Sequence, residues 1–163
     1  MSVYTTKGDG KLLALELEKT EVKGFMGQLL RESVFDKFEV RSVEIATNIH
    51  IDFDGALADT DEHKKTCFTT WENLRPLVYG IVKASPKPKC VKIIFSCNND
   101  DACSIHPNAA ALFLNLGYEN DNVTFTTGVA QKEFIMDKTL DINWDEWVKN
   151  FFCKVGVNVA ERI

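Results

Sequence analysis

Cys97, Cys103 and His106 fall within one short stretch, and thiolates beside an imidazole are donors that a zinc ion takes or parts of a nucleophile–base pair. Their spacing lacks the tight C-x₂-C pair typical of zinc sites, which favours reduced, mostly packed thiols. Asp59, Asp61, Glu62 and His63 offer oxygen and nitrogen donors to a divalent cation. They lack the fixed spacing of a calcium loop, so a solvated acidic loop is expected. Neither group calls for a metal, and no cofactor motif accompanies them: there is no phosphate loop and no dinucleotide fingerprint.

Arg75, Lys83, Lys87, Lys89 and Lys92 stand in a positive segment of an otherwise acidic chain. The first four are candidate contacts for nucleic acid or another anion. The alternative is a solvated helix end, where cations complement the helix dipole. Trp144 and Trp147, with Val148, Phe151, Phe152 and Val155, form a helical stripe wide enough to cover a sheet, and an edge of it left exposed would be a partner surface.

Ile51-Asp52-Phe53-Asp54-Gly55-Ala56-Leu57-Ala58-Asp59-Thr60 resembles the nucleophile motif of haloacid dehalogenase-type phosphatases. That resemblance implies Asp52 as nucleophile and Asp54 as acid/base beside Mg²⁺, with Ser96 and Asp100-Asp101 as later motifs. The pattern around it argues otherwise. Asn48, His50, Asp52 and Asp54 alternate with Ile49, Ile51 and Phe53, as in a half-exposed antiparallel strand, whereas the catalytic strand of that fold is central, parallel and apolar on both faces. Asp52 and Asp54 are therefore expected on a wet sheet face and not in catalysis.

The surrounding elements read as follows. Leu13, Leu15 and Leu17 alternate as a strand, Thr20 is a candidate cap, and Val22, Phe25, Met26, Leu29 and Leu30 repeat at helical spacing. From Phe38 to Thr47 the apolar phase shifts, which a bulge near Arg41-Ser42 explains. Ile49, Ile51 and Phe53 form the partner strand. A short strand around Cys67-Phe68 precedes the capping box Thr69-x-x-Glu72, which opens a helix through Trp71, Leu74, Val78 and Ile81. Val91, Ile93 and Phe95 make a strand, residues 98–108 an irregular loop, and Leu112, Leu114, Leu116 and Tyr118 a strand answered after a turn by Val123, Phe125 and Thr127. A last strand is expected near Phe134 and Met136. Asn143-x-x-Glu146 is the expected cap of a final helix that Gly156 stops.

The wording LFLNLGYEN, then TFTTG, then Phe134, Asp137-Lys138, Leu140, Trp144-Asp145 and Phe151-Phe152 resembles a family of small bacterial proteins known only as a domain of unknown function. The likeness extends through Phe25-Met26, Leu29-Leu30, Phe35-Asp36-x-Phe38, Asp54-Gly55 and Trp71-x-x-Leu74-Arg75-Pro76. It implies one intracellular domain and transfers no catalytic residue. Lys83-Ala84-Ser85 stands where the family suggests a Gly-Lys pair. The element order, two strand–helix–strands units and an added helix, is also similar to one domain of a ring-forming DNA sliding clamp, in topology alone.

Together these readings predict an α+β fold with a mainly antiparallel, curved sheet and three helices, the last C-terminal. A flexible leader over residues 1–10, one domain over 11–156 and a tail over 157–163 are expected. With 163 residues and 45% apolar composition, one sizeable core is available. A net charge of −5 argues against a wholly basic nucleic-acid binder. The polar leader lacks the apolar run of a signal peptide, no stretch is apolar enough to span a membrane, and five scattered cysteines do not form a disulfide framework. A cytoplasmic, non-catalytic binding or protein-interaction module is expected, with an unknown protein partner or self-association. A clamp-like accessory protein and a phosphatase using Asp52 and Asp54 are the alternatives.

Overall fold

Among the described residues the chain forms seven strands, most of them marked by period-two alternation: β1 (Ala14–Leu17), β2 (Glu39–Ala46), β3 (His50–Asp54), β4 (Cys90–Ser96), β5 (Ala109–Glu119), β6 (Asn122–Gln131) and β7 (Val159–Glu161). A computed structural model of the protein describes residues 13–57, 68–84 and 87–162, and for residues 99 and 100 the backbone only. The leader, the acidic group Asp59, Asp61, Glu62 and His63, and Cys67 of the short expected strand lie outside these residues. The strands join in one curved, unclosed antiparallel sheet of order β3-β2-β4-β5-β6-β1-β7. Among the described residues, four helices complete the α+β fold: α1 (Val22–Arg31), α2 (Trp71–Ala84), α3 (Asn99–Ile105) and the C-terminal α4 (Thr139–Lys154).

One sheet face is apolar and covered. Leu15, Val43, Ile93, Leu114, Leu116 and Phe125 are buried beneath α1, α2 and α4. Phe125 meets Phe25 of α1 edge to face, with centroids 5.4 Å apart, and Phe152 of α4 at 4.6 Å. Trp71 of α2 meets Phe95 of β4 at 5.5 Å. The opposite face alternates to Glu44, Lys92, Asn115, Thr124 and Thr126, and among the described residues it carries no helix layer of that kind.

Register follows local chemistry. The expected bulge lies between Val40 and Ser42. Asn120 and Asp121 both take positive φ, 52° and 62°, so a two-residue turn of the twist-matched kind joins β5 to β6. Gly156 at φ 77° ends α4, with Val157 N–H donating to Phe152 and Gly156 N–H to Cys153, the paired bonds of a Schellman stop.

Several expectations are corrected. Residues 98–108 are no irregular loop: Asn98 accepts from the Asp101 N–H at 2.8 Å and caps α3, a fourth helix. No strand forms at Phe134 and Met136. The Asn108 amide bonds both the N–H and C=O of Glu133, and Gln131 does the same for Ile135, so side chains take the backbone partners that a strand would use. The tail instead supplies β7, paired with β1. Helix α4 starts at Thr139, ahead of the expected Asn143 cap, where Asp137 accepts from the N–H and hydroxyl of Thr139. Thr20 lies in a 3-10 turn and does not cap α1. Thr70 bridges to Glu39, so α2 begins at Trp71, one residue after the capping box requires. Phe68 makes only an isolated bridge to Ala56.

Candidate functional site

On the apolar face of α1, Val22, Phe25, Leu29 and Leu30 are buried and Met26 is only partly so. The Trp71 indole donates to the Leu29 carbonyl at 3.0 Å, and Arg75 grips Asp36 through two hydrogen bonds of 2.8 and 3.0 Å. These contacts join the first turns of α2 to the end of α1 and to the turn that follows it. Toward the other end of α2, near Val82, the two helices border open space.

A groove of about 500 Å³ opens there, lined by Val22, Met26 and Leu30 of α1, Val82 of α2, Pro88 and Tyr118. Lys19, Lys23 and Lys87 stand on its rim with Asp121 from the β5–β6 turn. Lys87 forms an ion pair with Asp121, which also accepts from the Tyr118 hydroxyl at 3.2 Å. Lys87, then Tyr118, hold the Asp121 carboxyl below its ordinary pKa. Burial, then the bond to Asp121, pushes the Tyr118 phenol up. The result is an apolar floor with a net positive rim and no nucleophile–base pair among its lining residues.

Of the residues expected to contact anions, only Lys87 lines this groove. Lys83 and Lys89 are exposed elsewhere, Lys83 at 5.8 Å from the Tyr79 ring. Arg75 does not present its guanidinium as a free anion contact, because Asp36 already occupies it. Trp144 is fully buried, with its indole bonded to the Phe113 carbonyl at 2.9 Å, so it cannot serve as a partner surface. Trp147 is half-buried between Trp144 and Phe151, stacked on both.

Asp52 and Asp54 project from β3, the sheet's edge strand, and are exposed as the alternation requires. The adjoining Gly55 has a packing reason: a Cβ there would fall onto the Val40 carbonyl oxygen, where the chain crosses the β2 bulge. Ser96 is buried and accepts from Arg41, whose guanidinium lies 3.8 Å from the Phe68 ring. Cys97 is buried, and burial, followed by the carboxylates of Asp101 and Glu39, pushes its thiol to about 12. Cys103 is exposed beside Lys132, and His106 accepts from the Asn108 N–H, so Cys97, Cys103 and His106 do not converge.

Two features escaped sequence reading. Met26 reads as core, yet it is only partly buried and lines the groove, whereas Leu30 is buried as its spacing predicts. Glu44, His50 and Asp52 bring potential metal donors within 4.8 Å of one another on the uncovered face. Strict alternation in β3 hinted at the latter, but the partner Glu44 depends on strand register.

These features define an α+β protein with a helix-covered antiparallel sheet and a lysine-rimmed groove between two helices. A model of a family of unknown function, DUF5721, matches residues 28–159, most of the chain, which therefore belongs to that family. The stretches around Asp36 and Arg75 that carried the sequence likeness meet in space through their ion pair. No curated protein and no solved structure matches the chain. Among the described residues, no helix is long and apolar enough to cross a membrane.

Proposed function

We propose that this protein is an intracellular, non-catalytic interaction module whose groove between α1 and α2 takes an apolar segment of a partner protein flanked by carboxylates. The observation that carries this reading is the groove's composition, Val22, Met26, Leu30 and Val82 beneath Lys19 and Lys23, with Lys87 paired to Asp121 beside them. Apolar anchors supply affinity at such a surface, and rim charges select the partner and speed encounter. The four described cysteines are unpaired, which suits a reducing compartment. Duplex DNA is a poorer fit, since Arg75 is engaged by Asp36 and few cations remain on the helices.

Peptides selected from a random display library on the immobilised protein test the reading. Selected sequences should combine apolar residues with Asp or Glu, perturb the amide resonances of residues 19–30, and lose affinity about tenfold or more on Met26→Arg. Lys23→Glu should weaken the same peptides in low salt. Failure to select binders, or binders indifferent to both substitutions, would overturn it.

A further inference from the structure

On the uncovered sheet face, Glu44 of β2 and Asp52 of β3 are direct cross-strand partners, and His50 lies two residues before Asp52 on the same side. The imidazole Nε2 of His50 is 2.8 Å from Asp52 Oδ1, and one donor atom from each of the three residues lies within 4.8 Å of the others. All three side chains are exposed. We propose that they form a binding site for a divalent transition-metal ion.

Donor chemistry, geometry and charge each favour an ion at this position. The donors are two carboxylates and one imidazole with no thiolate, a set suited to zinc, manganese, iron or cobalt and chemically distinct from a purely acidic calcium site. Their geometry comes close to that of a coordination shell. Ligands about 2.1 Å from an ion sit roughly 3 to 3.4 Å from one another, and exposed side chains can close the remaining gap by rotation. The strand pairing also carries an electrostatic cost that a cation would relieve: the Glu44 and Asp52 carboxylates are like charges directly opposed across an antiparallel pair, an unfavourable arrangement. Lys92 flanks Glu44 in register from β4, yet forms no ion pair with it among the described residues.

Three protein ligands leave coordination positions open. Glu44 also lines a hollow of about 330 Å³ with Lys92, Asn115, Thr124 and Thr126. An ion held here would sit at the hollow's margin, where water or a small anion could complete its shell. The site is separate from the α1/α2 groove, so it stands or falls independently of the proposed function.

Cobalt(II) is the probe, because its spectrum distinguishes oxygen and nitrogen ligands from thiolate. Titration of the full chain under reducing conditions should give one tight ion per chain, with visible d–d bands and no near-ultraviolet thiolate-to-cobalt charge transfer. His50→Ala and Asp52→Asn should each weaken binding by about tenfold or more, and Glu44→Gln should weaken it too. These positions are exposed, and circular dichroism checks that each variant remains folded. Absence of binding at micromolar protein and metal would overturn the proposal. So would binding that shows thiolate charge transfer, disappears in Cys103→Ser and is untouched by His50→Ala.

Discussion

The indole N–H of Trp71, the first residue of α2, donates to the carbonyl of Leu29 near the end of α1 at 3.0 Å. That carbonyl is among the last four of α1, which have no partner within their own helix. Both residues are fully buried, so water cannot replace the bond. One side chain thereby fills the space over Phe95, satisfies a helix terminus and sets where the two helices touch. Trp71→Phe should cost about 1–3 kcal/mol through the orphaned carbonyl, and Trp71→Ala about 3–5 kcal/mol through the added cavity. Urea unfolding with an unchanged slope checks both, and equal losses would show that the added cavity contributes little beyond the lost hydrogen bond.

The bidentate Arg75–Asp36 pair makes a related prediction. Arg75→Ala should destabilise the fold by about 1.5–3 kcal/mol, the range for hydrogen bonds to charged groups. Any weak binding of duplex DNA near physiological salt should remain unchanged in the same variant. A marked loss of salt-sensitive DNA binding without loss of stability would favour the clamp-like alternative over the groove.

Thiol reactivity should follow burial and ionisation. Cys97 is buried with its thiol pushed to about 12, whereas Cys103 and Cys153 are exposed. A thiolate is the reacting species, so iodoacetamide at pH 8 should label Cys103 and Cys153 in the native protein and reach Cys97 only after denaturation. Peptide mapping by mass spectrometry reads the order of labelling. Early modification of Cys97 would contradict the packing around the end of β4.

Glu39 is the buried carboxylate most exposed to pH-linked effects. Burial raises its pKa above the ordinary carboxylate value, and nearby Arg41 pulls it back by less. The folded chain thus keeps this proton at a pH where the unfolded chain releases it. The resulting stability is present below the ordinary carboxylate pKa and is lost as pH rises through the raised folded value. Glu39→Gln should therefore raise the melting temperature at pH 7, and the difference should shrink toward about pH 4. A lower melting temperature at neutral pH would show that attraction to Arg41 outweighs burial.

Local patterns in the chain determined most of the scaffold. Alternation at Val91-x-Ile93-x-Phe95 and Leu112-x-Leu114-x-Leu116 marked strands, the phase slip near Arg41 marked the bulge, and Gly156 marked the end of α4. Such signals are legible because the forces behind them act between residues at most a few positions apart. Helix α3 was hidden because it spans seven residues without an apolar repeat, and β7 because three residues gain strand geometry only by pairing with β1. Tertiary structure alone decided the strand order, the register that brings Glu44 to His50 and Asp52, and the meeting of Asp36 with Arg75. It also left Met26 half-buried at a groove while burying Trp144. The physical reason is that long-range pairing and burial depend on which apolar faces find one another, and neither residue type nor spacing along the chain fixes that choice.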